Sequence, residues 1–365
     1  MKKLLLSFVV LPGALATAQV GINTEEPQAM LDISAKDNQK GDLRIQDVEM
    51  KEKTDWLLIW DEKDQKVKRT SLSDLKWDII VDKGKINYIR GKQPTKADGI
   101  INKIKQCPPE NIVFDKLFGI SGKHDFVYCA TIVSEGGYNR TWLNLNLGAA
   151  YADINNPDFD PTVNKTGTDA HNEAKTYGSL YQWQRASNGH EFRDSETTKE
   201  LADTWTETDK AAGKFITPSE EIYYWTKNGG NATTYNLKDF ELWQAGGVNN
   251  PCPSGYHVPT YLEWLPFYQV LMGGDGDITS DSTNKMWVQT KLPNLSAAGY
   301  RKKDGDENSY SISEKDTPGN YWSSSDVVGG SGQALRISFS SEHSLVDDYY
   351  TPYYHGASVR CIKDY

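Results

Sequence analysis

The chain has 365 residues with 50 acidic and 40 basic side chains, a formal net charge of −10, and this balance argues against nucleic acid as a partner. The length allows about two domains. Eleven Trp and 20 Tyr against 5 Met is a heavy aromatic load, suited to filling cores or to making carbohydrate and protein contact surfaces.

The first 18 residues place Lys2 and Lys3 before the apolar stretch LLLSFVVLPGALA and then Ala16-Thr17-Ala18, an A-x-A site ahead of Gln19. This pattern predicts a cleavable signal peptide over 1–18, and with it a secreted or cell-surface protein. Its removal takes two lysines, so the mature charge would be −12 (−10 − 2). The apolar core is too short to span a bilayer, no Cys at the cleavage point can take a lipid, and no later stretch reads as transmembrane.

From Gln19 to about Ile104 the short apolar pieces VGIN, MLDI, WLLIW and WDIIV each have the length of one strand. They predict a β-rich stalk over 19–104, with DEKDQK at 61–66 as the turn of a hairpin. So little apolar content cannot bury a core alone, so association between copies or packing on the following domain is expected. The words VGINTEEPQAMLDI resemble the G-I-x-T-x-x-P-x-x-x-L-D-I pieces of exported Bacteroidota proteins and of trimeric phage tail fibres. The resemblance implies an oligomerisation segment and a homotrimer.

Beyond Cys107 the chain becomes rich in Trp, Tyr and Gly. In TWLNLNLGA, Leu143, Leu145 and Leu147 alternate with Asn144 and Asn146, the pattern of a half-buried strand. YGSLYQW reads as a short aromatic element before a polar loop. Thr260 and Glu263 have the spacing of a capping box, Trp264, Phe267, Tyr268 and Leu271 follow at i, i+3, i+4, i+7, and Gly273-Gly274 supplies a stop. The prediction is a helix over 261–272. LSAAGYR, NYWSSS, ALRISFS and ASVRCIK read as antiparallel strands.

In order along the chain, TWLNLNLGA, YGSLYQW, NNPCPSGYHVPTYLEW, LSAAGYR, NYWSSS and ASVRC resemble the motifs of the Fibrobacter succinogenes major paralogous domain. Leu145 departs from the Arg that many members carry there. The resemblance covers roughly the last two-thirds of the chain and implies a fold similar to C-type lectins and formylglycine-generating enzymes. Four Cys, none in a C-x-x-C pair, favour two disulfides in an exported protein, and the residues alone leave three pairings open. The resemblance implies Cys252–Cys361, leaving Cys107 for Cys129.

No H-E-x-x-H, G-x-S-x-G or P-loop pattern occurs, so no residue is assigned a catalytic role. Cys252 and His257 form a conceivable nucleophile and base, but the disulfide reading of Cys252 takes precedence. Asp275, Asp277 and Asp281 in GGDGDITSDST are oxygen ligands suited to Ca²⁺, against the plainer reading of a solvated turn. The DGDEN turn at 304–308 is of the same kind. No other cofactor is expected.

For ligand contact, the aromatic and polar segments around Trp183, Arg185, His190 and Arg193, and around Tyr350, Tyr353 and Tyr354, are the candidates, the second as a partly exposed loop. The sequence therefore predicts an α+β protein: a β-rich stalk followed by a C-type-lectin-like head over 105–365, built of antiparallel strands with one or two helices. The expected function is non-catalytic binding or adhesion to an extracellular glycan or surface protein. The alternatives are a polysaccharide hydrolase and a structural fibre or fimbria-associated subunit.

Overall fold

The computed structural model describes residues 20–22, 31–33, 56–120, 122–208, 211–218, 222–227, 241–273, 283–303, 310–312, 318–326 and 333–365. Two compact units divide at Trp56 and Leu57. In the first, β1 (Val20–Ile22) and β2 (Leu31–Ile33) pair in parallel. The predicted signal peptide lies outside the described residues.

From the unit boundary onward, β3 (Trp56–Asp61) and β4 (Lys66–Ser71) form a two-stranded hairpin whose turn falls within the predicted polar string. The prediction of continued β structure then fails. Ser71 accepts the Asp74 N–H at 2.9 Å and starts helix α1 (Leu72–Ile80), which takes in most of WDIIV. Local capping outweighs the strand preference of the Ile pair. Asp82 caps α2 (Lys83–Lys92), and α3 (Ala97–Ile104) follows. Ile89, Ile100, Ile101 and Ile104 pack with Phe118, Val127, Ile154 and Phe159 in one apolar cluster. The stretch 72–104 is therefore a helical layer sharing core with residues beyond Cys107, not a β-rich stalk.

Strand β5 (Ile112–Phe114) leads to β6 (Val127–Glu135) and β7 (Tyr138–Leu143), joined by the two-residue turn Gly136-Gly137. Both glycines have positive φ, 53° and 89°, the conformation that matches a tight turn to the twist of its strands. Short elements follow: α4 (Gly167–His171), β8 (Tyr181–Gln182), β9 (Thr197–Thr198), β10 (Phe215–Ile216) and β11 (Tyr256–His257). Helix α5 (Tyr261–Met272) has the predicted bounds. Its Glu263 carboxylate accepts from the Thr260 N–H at 2.9 Å and hydroxyl at 3.0 Å, and Gly273 closes it in the left-handed region.

The chain continues through α6 (Lys285–Val288), β12 (Arg301–Lys303), β13 (Tyr310–Ile312), β14 (Gly319–Asp326), β15 (Gln333–Phe339), β16 (Ser344–Pro352), β17 (Gly356–Ala357) and β18 (Ile362–Lys363). The described residues thus form a mixed α+β structure. Its largest sheet has the order β11-β18-β7-β6-β5, and β13-β12-β17-β8 and β14-β15-β16 form two more. NYWSSS and ALRISFS are adjacent antiparallel strands as read, whereas LSAAGYR is extended coil until Arg301.

Disulfides join Cys107 to Cys129 and Cys252 to Cys361, the pairing that the motif resemblance implies. The second lashes the loop before β11 to the residue before β18. On the helix side, Trp142 of β7 meets Trp264 of α5 with ring centroids 4.8 Å apart, beside Phe267 and Tyr321.

Asn144 and Asn146 do not alternate out to solvent, because β7 ends at Leu143 and both amides turn inward. Asn146 Oδ1 accepts from Nε and Nη2 of the fully buried Arg360 at 3.0 and 2.8 Å, while its Nδ2 reaches Ser296 Oγ and the Tyr321 hydroxyl. Arg360 also donates to the carbonyls of Leu143, Pro293 and Asn294. Residues of NLGA, LSAAGYR, NYWSSS and SVRC therefore meet in one interior polar knot, with five short contacts dispersing a guanidinium charge that burial disfavours.

Candidate functional site

A cleft of about 750 Å³ opens between the β6–β7 turn, helix α5 and the last residue of the chain. Glu135, Tyr138, Arg140, Glu263, Gln269 and Tyr365 are among its walls. Strand alternation sets Tyr138, Arg140 and Trp142 on one face of β7. Trp142 goes into the core and gives its indole N–H to the Tyr138 hydroxyl at 2.9 Å, so the rim residue is fixed by the buried one. Leu262 and Pro266 line the helix side. Pro266 has no N–H to offer the Leu262 carbonyl, and the helix tolerates the loss where its surface is open.

Arg140 and Glu263 at the rim of this cleft belong to an ordered chain of charges that continues behind it. His257 Nδ1 stands 2.6 Å from Asp364 Oδ1, and Nε2 stands 2.9 Å from Glu263 Oε2. Glu263 Oε1 lies 3.1 Å from Arg140 Nη2, and the same nitrogen donates to the Lys363 carbonyl at 3.2 Å. The Arg140 guanidinium lies over the Tyr365 ring, 3.7 Å from its centroid. Burial opposes a charged His257, but the Glu263 and Asp364 hydrogen bonds outweigh it and raise the imidazole above its ordinary value. Burial likewise opposes the Glu263 carboxylate, and the His257 and Thr260 hydrogen bonds overcome it, bringing the group down to about 2.

The Cys252 and His257 pairing weighed from the sequence does not assemble. Cys252 is consumed by Cys361, and His257 has both ring nitrogens committed to carboxylates. What the arrangement can do is present a rigid, planar cation on an aromatic ring, flanked by carboxylates and amides.

The ligand-contact residues expected from the sequence are placed elsewhere. Trp183 is fully buried, stacked on Tyr353 at 4.3 Å, and Tyr353 is buried too, its hydroxyl bonded to Asp326. Arg185 is buried and donates to Gln182 Oε1 and the Lys214 and Ala211 carbonyls, and burial lowers it to about 9. His190 is buried beside Glu191. Arg193 is half-buried and holds the Gly178 and Ala298 carbonyls, each at 2.7 Å. These four side chains and Tyr353 are framework rather than contact surface: each pairs internally, as burial of a polar or aromatic group demands. Tyr354 is half-buried, and the Tyr350 side chain lies outside those described.

Asp275, Asp277, Asp281 and the 304–308 turn also lie outside the described residues. Among the described residues, no group of three or more His, Cys, Asp or Glu is arranged to hold a metal ion. No helix there is long and apolar enough to cross a membrane.

Tyr138, Arg140, Glu135 and Tyr365 were not picked out from the sequence. The usable signal was YNRTW, which carries the β7 alternation three residues upstream of the run read as a strand and puts a Tyr and an Arg on the Trp142 face. The chain matches no protein-family model, no curated protein and no solved structure.

Proposed function

We propose that this chain is an exported binding or adhesion module, non-catalytic, whose C-type-lectin-like head takes an extracellular glycan or a surface protein in the cleft beside α5. The cleft carries the reading. Planar hydrogen-bonding groups, Arg140, Glu135 and Gln269, stand next to the Tyr138 and Tyr365 rings on a disulfide-held frame. That is the composition by which proteins hold polar ring-shaped ligands and aromatic-rich peptide surfaces at low entropic cost.

The hydrolase alternative needs a carboxyl group kept protonated to act as the acid. Glu263 is the wrong kind of group for that role, since His257 and the helix start hold it ionised at about 2. The two disulfides and the motif order support the exported, lectin-like reading. For self-association, Leu58, Trp60 and Ile79 stand exposed on β3 and α1 and support a homotrimer made through the N-terminal part.

The test is a glycan array and surface-protein pulldown with the mature chain. Arg140→Ala should weaken a captured ligand by about tenfold, as loss of a paired and stacked guanidinium implies. Absence of any ligand, or capture unchanged by Arg140→Ala, would sink the reading. A monomer in light scattering would remove the homotrimer.

A further inference from the structure

Away from the cleft, the half-buried Tyr354 belongs to a second cluster made from three segments distant in sequence. Tyr300 and Lys302 flank Arg301 at the start of β12. Arg301 is buried, donating to Ser195 Oγ at 2.7 Å and lying over the Phe215 ring, so strand alternation turns Tyr300 and Lys302 together to the opposite, half-buried face. On β15, Arg336 reaches the Tyr300 ring. Lys302 Nζ and the Arg336 guanidinium each lie 5.2 Å from the Tyr300 centroid.

The turn after β16 completes the group: His355 lies 6.2 Å from Tyr300 and stands edge-on to Tyr354 at 4.8 Å. This turn is fixed, because Gln182 Nε2 donates to the Tyr354 carbonyl at 2.7 Å and the His355 N–H reaches the Pro352 carbonyl at 3.0 Å.

Two cations converging on one ring repel each other, and the ring's quadrupole offsets only part of that. Arg336 has Asp348 as its cross-strand neighbour in the β15–β16 register. Lys302 has no carboxylate partner among the described residues. His355 reports the local sign: burial first, then Arg336 and Lys302, push it down to about 3, so the imidazole is neutral and can accept or donate one hydrogen bond.

The geometry points to a binding site formed by Tyr300, Lys302, Arg336, Tyr354 and His355 for a single anionic sugar residue, its carboxylate or sulfate on Lys302 and Arg336 and its ring against the tyrosines. The site shares no residue with the cleft beside α5 and does not rest on it. The net negative charge of the whole chain excludes long-range steering of a polyanion but leaves this local recognition intact. The ligand is therefore a short acidic unit, not a nucleic-acid-like chain.

Titration calorimetry of the full mature chain with trigalacturonate, with a sulfated disaccharide and with a neutral trisaccharide tests the site. Binding of either acidic sugar and not the neutral one is expected, weakening as salt is raised. Lys302→Gln and Arg336→Gln should each reduce it about tenfold, Lys302→Arg should restore most of it, and Lys96→Gln, an equal charge loss on an exposed turn, should leave it unchanged. Thermal melts of each variant verify folding. Failure of both acidic sugars to bind overturns the proposal, as does binding that survives the Lys302→Gln, Arg336→Gln double variant.

Discussion

Two clusters in this protein place imidazole between carboxylates, and they differ in burial and in stoichiometry. In the interior, one carboxylate serves two imidazoles: Glu191, with no exposed surface, stands 3.0 Å from His124 Nε2 and 3.1 Å from His190 Nδ1. At the rim of the cleft, one imidazole serves two carboxylates, with His257 between Glu263 and Asp364 and Arg140 adding the second positive charge. Burial works against charge at Glu191, His124, His190, His257 and Glu263 alike. Inside, the outcome is split: His124 is raised because the Glu191 and Asp115 contacts outweigh its burial, while His190 falls to about 4, from burial first and the Arg185 charge second.

His190 is accordingly a neutral ring that accepts the Gln182 N–H at Nε2, 3.2 Å away, and presents its Nδ1 proton to Asn188 and Glu191. The interior cluster therefore sets His124 between Glu191 and Asp115 with His190 as a neutral buttress, whereas the rim cluster joins one imidazole to two carboxylates and Arg140. The same residue types are closed off in the one case and stand beside an open cleft in the other.

The most damaging way to probe this contrast is Glu191→Gln. It removes the Glu191 charge that offsets the burial of His124 and leaves only Asp115 against that imidazole, and breaking one partner of a buried pair costs about 3–5 kcal/mol. Asp364→Asn at the rim should cost about 1 kcal/mol or less, since His257 keeps Glu263 and water reaches the site. Urea unfolding of both variants measures the difference. Equal losses would mean that burial does not separate the clusters.

The pH dependence separates them further. His190, lowered from 6.5 to about 4, contributes stability that is complete above about 6.5 and is lost as pH falls through about 4, on the order of 3 kcal/mol by linkage. Glu191, held well below the usual carboxylate range, and Glu263, at about 2, add losses that begin below about 4.5. Asp115, raised to about 6 by burial, works in the opposite direction between about 6 and 3.8, so the melting temperature should fall most steeply below about 4.5. His190→Gln, whose amide oxygen can accept the Gln182 N–H in place of Nε2, should flatten the fall between pH 6.5 and 4 while leaving the fall below 4.5. A slope unchanged by that substitution would assign the acid sensitivity elsewhere.

His257 has the opposite sign. Its raised value makes its stabilisation complete below about pH 6.5 and progressively lost as pH rises through the folded value. His257→Gln should remove that alkaline decline, at a cost of about 1–2 kcal/mol at pH 6. Melts from pH 6 to 9 check it, and a decline that persists in the variant would detach the rim cluster from stability.

How much of this was legible depends on the range over which each interaction acts. Helix α5 was readable to the residue because its start, face and stop are local: Thr260 with Glu263, the Trp264 to Leu271 spacing, and Gly273. The segment 72–104 departs from the β expectation because the apolar length of WDIIV fits a strand and a helix equally well. The Ser71-x-x-Asp74 cap, also local, was present in the sequence and decided the outcome.

Asn146 and Arg360, 214 positions apart, could not be paired from the residues themselves, since nothing nearby marks a polar side chain that will be buried by a distant one. The same holds for Trp183 and Tyr353, whose stacking spends the aromatic surface that their composition had offered to a ligand. The cleft fell between these cases: Tyr138 and Arg140 follow from the alternation of β7, but Glu263 and Tyr365 join them only through the β11–β18 and β18–β7 pairings.

The gentlest substitution isolates what the rim lattice does beyond stability. Arg140→Lys keeps the positive charge opposite Glu263 but gives up the flat guanidinium that lies over Tyr365 while bonding Glu263 and the Lys363 carbonyl at once. Because the charge balance with His257, Glu263 and Asp364 is preserved, unfolding free energy should drop by no more than about 0.5–1 kcal/mol, the worth of an exposed cation–ring contact. If the cleft binds as proposed, ligand capture should suffer more than stability does, since the ring and guanidinium together form the flat wall that a planar ligand would need. If Arg140→Lys left capture intact while Arg140→Ala abolished it, the charge alone would be recognised and the stacked geometry would be incidental.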